Sequence, residues 1–248
     1  MQSPQPFSDA SRSLNVLAAW SVHLYTAAGA AAAFFGTVAV FEARYRDAFL
    51  WMAAATFLDS TDGILARLAR VKEVLPGFDG ARLDDIVDYL TFTFLPVVLL
   101  YHSHALPDGW GAPIALLVLL SSAYGFASVD AKTTDHFFTG FPSYWNIVAL
   151  YMHAFGSPPW LNAGVLLVLS TLVFVRIGFV YPSRTPTLRA LTVALGALWA
   201  MMMIAVIVLL PDVPRLLLTA SLFFPAYYTV LSLVLHARRP RLSGASPT

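Results

Sequence analysis

The chain has 248 residues, of which 58% are hydrophobic and only 12% charged, and its formal net charge is +1. A soluble domain carries about a quarter charged residues, so this composition excludes a disordered, collagen-like or nucleic-acid-binding chain. The absence of cysteine excludes disulfide frameworks, thiolate metal sites and cysteine nucleophiles. What remains is an all-α integral membrane protein.

The first fifteen residues have no basic run ahead of a short apolar core, so no cleaved signal peptide is expected. Ser8-Asp9 followed by Ala10, Leu14, Leu17 and Ala18 reads instead as a short, capped interfacial helix at the N-terminus. A spanning helix needs about 20 apolar residues, because each residue rises about 1.5 Å. Ser13 to Phe41 has no charge and gives the first span. The second and third, about 47–69 and 82–103, are apolar but carry acids at one end. Gly109 to Val129 is the fourth. Phe137 to Val175 is uncharged but too long for one span, and Gly156-Ser157-Pro158-Pro159 breaks it into a short fifth helix and a full sixth. Ala190 to Pro211 and Leu216 to Leu235 complete about eight transmembrane helices. Connections are short and no repeat or linker interrupts them, so residues 1–248 read as a single domain.

Orientation follows from lysine and arginine. With the N-terminus inside, twelve of the fifteen basic residues lie on the cytoplasmic side, among them Arg67, Arg70, Lys72, Arg82, Lys132, Arg184, Arg239 and Arg241. Only Arg44, Arg46 and Arg215 lie outside. Both termini are therefore expected on the cytoplasmic side.

The scarce acids are not scattered: seven of the fourteen fall between Asp59 and Asp88. Asp59 and Asp62 share a face of the second span, and Asp84 and Asp88 share a face of the third. Carboxylates in apolar helices are expensive and face polar cavities. Four of them on adjacent helices repel one another unless cations neutralise them. Oxygen ligands without cysteine or an obligatory histidine point to Mg²⁺ or Mn²⁺. A lone aspartate at a helix end is more often a cap than a ligand, and Asp79 and Asp85 fit that plainer description. Intramembrane acids also mark ion-coupled transporters. Those place acids near the midplane, often with repeat symmetry or broken helices, whereas here one asymmetric cluster sits at the cytoplasmic face.

Asp59-Ser60-Thr61-Asp62-Gly63-Ile64-Leu65-Ala66-Arg67, followed by Gly80, Asp84 and Asp88, resembles the signature of the CDP-alcohol phosphotransferases, D-x2-D-G-x2-A-R, a spacer, then G-x3-D-x3-D. Every fixed position is matched, although the twelve residues between Arg67 and Gly80 make a longer spacer than the family usually has. That spacer, the additional spans and the segment Gly140-Phe141-Pro142-Ser143-Tyr144-Trp145-Asn146 are similar to the branch of the family that makes phosphatidylcholine in bacteria. The resemblance implies that Asp59, Asp62, Asp84 and Asp88 ligate two divalent cations. It implies that Asp88 is also the general base, and that Gly63, Ala66, Arg67 and Gly80 meet CDP-diacylglycerol. The reaction implied is transfer of a phosphatidyl group to an alcohol with release of CMP, by a homodimeric enzyme.

Choline is the acceptor expected from that branch. Its quaternary ammonium must be recognised by aromatic faces or carboxylates. Tyr144, Trp145 and Asn146 at the start of the fifth span, and Trp20 and His23 on the first, lie at about the depth of the acids. Aromatic residues also gather at membrane interfaces without any ligand. Serine, inositol and glycerol phosphate stay open as acceptors, since Arg70, Lys72, Arg82 and Lys132 could meet a phosphate.

Overall fold

The computed structural model describes residues 9–128, 137–181, 185 and 187–238, and it divides after Ser103 into two compact units. Ser8, Lys132, Arg184, Arg239 and Arg241 lie outside the described residues.

The first unit begins with α1, Asp9–Phe41, which runs unbroken through both the expected interfacial segment and the first span. Its buried positions include Ala19, Val22, Thr26, Gly29, Ala33, Gly36 and Val40. Steps of three and four keep these residues on one helix face, and most are small. Small size permits close packing: a Cβ at Gly29 would sit 2.5 Å from Cγ1 of Val87, and one at Gly36 would sit 2.6 Å from Cδ2 of Leu95. A tight turn leads to α2, Tyr45–Leu68, and α1 and α2 pack along their lengths. Arg44 bridges Glu42 at 2.6 Å and Asp47 at 2.5 Å in that exposed turn. Exposed pairs of this kind contribute at most about 1 kcal/mol each.

A one-turn helix, α3 (Val71–Val74), tucks Val71 against Ala19 and Val22. Asp79 then caps α4, Gly80–Asp88, its carboxylate accepting the Arg82 backbone N–H at 3.0 Å. This is the capping role expected of it. The chain continues through a π-helical segment, Tyr89–Phe94, into α5, Leu95–His102. Pro96 has no N–H to offer the preceding turn, and its ring crowds the carbonyl four residues back. A wider turn there relieves both problems. Together α4, the π segment and α5 cover the residues expected to form the third span.

The second unit holds α6 (Gly111–Ala127), α7 (Trp145–Phe155), α8 (Pro159–Leu172), α9 (Arg189–Val208), α10 (Arg215–Ser221) and α11 (Phe223–Arg238). The break before α8 falls where the sequence places it: Gly156 ends α7 with φ 61°, and Pro159 opens the next helix. The fifth helix begins at Trp145, within the Tyr144–Asn146 start expected of it, and residues 137–144 before it are not helical. Residues Phe137–Thr139 form β1, paired antiparallel with β2, Gly178–Val180, with Phe137 opposite Val180. Gly140, at φ 80°, then approaches so closely that a Cβ there would lie 2.3 Å from the Val173 carbonyl oxygen. The Gly140 and Phe141 N–H groups donate to Ile177 and Leu172 carbonyls at 2.9 and 3.0 Å. Non-helical backbone near a bilayer must find such partners inside the protein. Among the described residues the fold is thus helical with one small strand pair, rather than purely α.

Among the described residues, Ser13–Phe41, Arg189–Val208 and Arg215–Arg238 are long and apolar enough to cross a membrane, and Gly111–Ala127 and Pro159–Val173 are shorter apolar helices. The protein is a helical membrane protein. Its first unit depends on the α1–α4 crossing, so Gly29→Ala is expected to destabilise by about 1–3 kcal/mol through overpacking against Val87. Adding Val87→Ala should restore much of the loss. Thermal unfolding in detergent measures both; an unchanged midpoint for Gly29→Ala would contradict the packing account.

Candidate active site

The acids reach a common place because two helices present them with matched spacing. Asp59 and Asp62 lie near the C-terminal end of α2; Asp84 and Asp88 lie one turn apart on α4. Carboxylate oxygens of Asp59, Asp84 and Asp88 all lie within 4.8 Å of one another, and the three residues are half-buried. Two unit charges at that separation repel by about 3 kcal/mol at an effective dielectric near 20. A divalent cation relieves that repulsion, and a hard, oxygen-only donor set suits Mg²⁺ or Mn²⁺.

Asp62 takes a different position from the other three. It lines the same cavity but is 8% exposed, and its Oδ2 accepts a hydrogen bond from Thr26 Oγ1 at 2.8 Å. The cavity has a volume of about 10 Å³, with Gly29, Ala55, Leu58 and Val87 forming apolar walls beside the four aspartates. Such a space admits an occupant the size of a water or a small ion. Three carboxylates, a fourth on the wall and room for a small ion together fit a divalent-cation site.

The other expected contacts are distributed more unevenly. A Cβ at Gly63 would meet only the Arg67 guanidinium, at 3.4 Å, so the helix surface there is open, and Arg67 itself is exposed. Ala66 instead packs on the Ala19–Val22–Val71 cluster. Gly80 lies against His23, where a Cβ would come within 2.7 Å of the ring. His23 is 6% exposed, its Nε2 has no hydrogen-bond partner, and its ring lies 4.3 Å from Phe78 and 5.8 Å from Trp20, centroid to centroid. Trp20 and Phe78 meet edge to face at 5.2 Å.

In the second unit Trp145 is fully buried, and its indole N–H donates to Ser122 Oγ at 2.7 Å. Its ring serves the core of that unit. Asn146 is buried as well, its Oδ1 accepting the Ile147 backbone N–H at 2.9 Å. Tyr144 is half-buried, with its ring 6.3 Å from that of Tyr228. The sequence reading missed Thr26, Gly29 and Phe78. Thr26 had a faint signal, a hydroxyl in a charge-free run, but only its neighbour on α2 gives it meaning.

No protein-family model matches the chain. It is 39% identical over 222 residues to a phosphatidylcholine synthase of Legionella pneumophila, covering 87% of each protein. It is 37% identical to a phosphatidylcholine synthase of Pseudomonas aeruginosa, over 85% of this chain and 90% of the relative. A protein of the same name from Borreliella burgdorferi is 31% identical over 90% of this chain and 97% of the relative.

The contact between Gly80 and His23 generates a prediction about the site's shape. Gly80→Ala must displace the imidazole and is expected to lower the thermal midpoint, while His23→Ala in the same chain should recover it. Equal destabilisation in both backgrounds would show that the ring does not limit the space.

Proposed function

Because the chain belongs to the phosphatidylcholine synthase family of CDP-alcohol phosphotransferases, we propose that it transfers the phosphatidyl group of CDP-diacylglycerol to choline at its aspartate cluster. The observation that carries this reading is the convergence of Asp59, Asp84 and Asp88 within 4.8 Å, in a chain so similar to these relatives. Asp59, Asp62, Asp84 and Asp88 would hold two divalent cations, Mn²⁺ or Mg²⁺. When bound, such cations neutralise the carboxylates and hold the charge of the pyrophosphate and of departing CMP.

Asp88 accepts the hydroxyl proton of choline as the choline oxygen attacks the β-phosphorus. A new phosphorus–oxygen ester bond forms, the bond to the bridging pyrophosphate oxygen breaks, and CMP leaves. The exposed guanidinium of Arg67 offers paired donors to phosphate. The open backbone at Gly63 lets the nucleotide approach, while Ala66 and Gly80 keep the neighbouring surface low. For the acceptor, the exposed rings of Trp20 and Phe78 present aromatic faces to the trimethylammonium group, with His23 buried against both and backing them. They lie on the same unit as the acids, and His23 is one turn from Thr26 on the cavity wall. Tyr144, Trp145 and Asn146, the other acceptor contacts expected from the sequence, lie in the second unit, where Trp145 and Asn146 are buried.

The same reading takes residues 1–248 as one membrane domain with about eight spans and a short interfacial N-terminal helix. It is a homodimer in the bacterial inner membrane, with termini and acids on the cytoplasmic side. The twelve-to-three distribution of basic residues supports that orientation.

Purified protein supplied with CDP-diacylglycerol, choline and Mn²⁺ should release CMP and form phosphatidylcholine. Turnover of serine, inositol or glycerol 3-phosphate with none of choline would overturn the acceptor assignment. Asp88→Asn should lower kcat by about 10²–10⁴-fold while the protein stays folded, as measured by CMP release and thermal unfolding. Retained turnover would remove Asp88 as the base.

A further inference from the structure

Two consecutive residues of α1 bond two consecutive residues of α2. Tyr25 Oη lies 2.8 Å from Thr61 Oγ1, and Thr26 Oγ1 donates to Asp62 Oδ2 at 2.8 Å. Thr26 is 9% exposed and Asp62 8%, so the second bond is sheltered from water. A threonine in a helix ordinarily returns its hydroxyl proton to the carbonyl one turn back. Thr37 and Thr56 do this, donating to Ala33 and Met52 carbonyls at 2.8 and 2.9 Å. Thr26 directs its proton across the helix interface to a carboxylate instead.

We propose that Thr26 is a positioning residue for cation binding, holding Asp62 on the cavity wall with Oδ2 engaged and Oδ1 left for the cation. The Tyr25–Thr61 bond keeps the two helices in the register this requires. Asp62 stands apart from the three mutually close carboxylates, and its bond to α1 accounts for that separation. A carboxylate free to rotate must be ordered when the cation binds, whereas a hydrogen-bonded one is already oriented. The role falls to a residue of the first helix, outside the 59–88 pattern. The inference rests on the cation reading proposed above.

The test is Mn²⁺ affinity of the full-length protein in detergent, without substrate, read from the electron paramagnetic resonance signal of free Mn²⁺. Thr26→Val keeps the side-chain shape and removes the donor; it should weaken Mn²⁺ binding by about 10- to 100-fold. Thr26→Ala, as a smaller second variant, should show the same loss, and Thr26→Ser should restore wild-type affinity. Added to Asp62→Ala, Thr26→Val should weaken binding no further, because the carboxylate it orients is gone. Wild-type affinity in both Thr26→Val and Thr26→Ala, or a further loss in the Asp62→Ala background, overturns the inference alone. A wild-type protein that does not bind Mn²⁺ overturns the cation reading and this inference with it.

Discussion

Like charges held close together in an apolar surrounding are the constraint around which the first unit is organised. Three carboxylates within 4.8 Å of one another oppose the fold that assembles them, by about 3 kcal/mol for each pair at an effective dielectric near 20. Packing elsewhere must offset that cost before any ligand arrives. α1 supplies much of it, laying a face of small residues along α2 and α4. At Gly29 the backbone meets Val87, the residue before Asp88, so a close helix approach lies directly beside the proposed base. Stability and site geometry are therefore the same contact seen from two sides.

The π-helical turn after Asp88 belongs to this arrangement. Asp84 and Asp88 stay in regular α geometry, one turn apart, and the irregular turn required by Pro96 is confined to Tyr89–Phe94. A deformation one turn earlier would swing one carboxylate off the common face, since helical residues four apart share a face only while 3.6 residues complete a turn. The exposed side of α2 at Gly63 and Arg67 leaves room for a large phosphate-bearing substrate, while the cavity between the acids is small. Under the proposed function, substrate bulk and cation fall to adjacent but different spaces.

Charge was the most legible feature of the sequence, because a carboxylate in an apolar helix has few physical excuses. Spacing alone placed Asp59 with Asp62 and Asp84 with Asp88 on shared faces, and Gly156 with Pro159 marked the helix break that the structure contains. Aromatic residues were less legible, since a ring at an interface has many explanations. Trp145 looks from its neighbours like a substrate contact, yet it is fully buried with its N–H bonded to Ser122. The strand pair at Phe137–Thr139 and Gly178–Val180 joins residues about forty positions apart, beyond the reach of any local pattern. Thr26 was invisible for a related reason: its bond to Asp62 joins residues 36 positions apart.

The central claim is that the aspartate cluster is a divalent-cation centre for phosphatidyl transfer. Anomalous diffraction from crystals grown with Mn²⁺ and CDP-diacylglycerol tests it most directly. The account predicts manganese peaks within bonding distance of the carboxylates of Asp59, Asp62, Asp84 and Asp88. Crystals that turn over CDP-diacylglycerol but hold manganese elsewhere, with these carboxylates bound to protein groups alone, would contradict it.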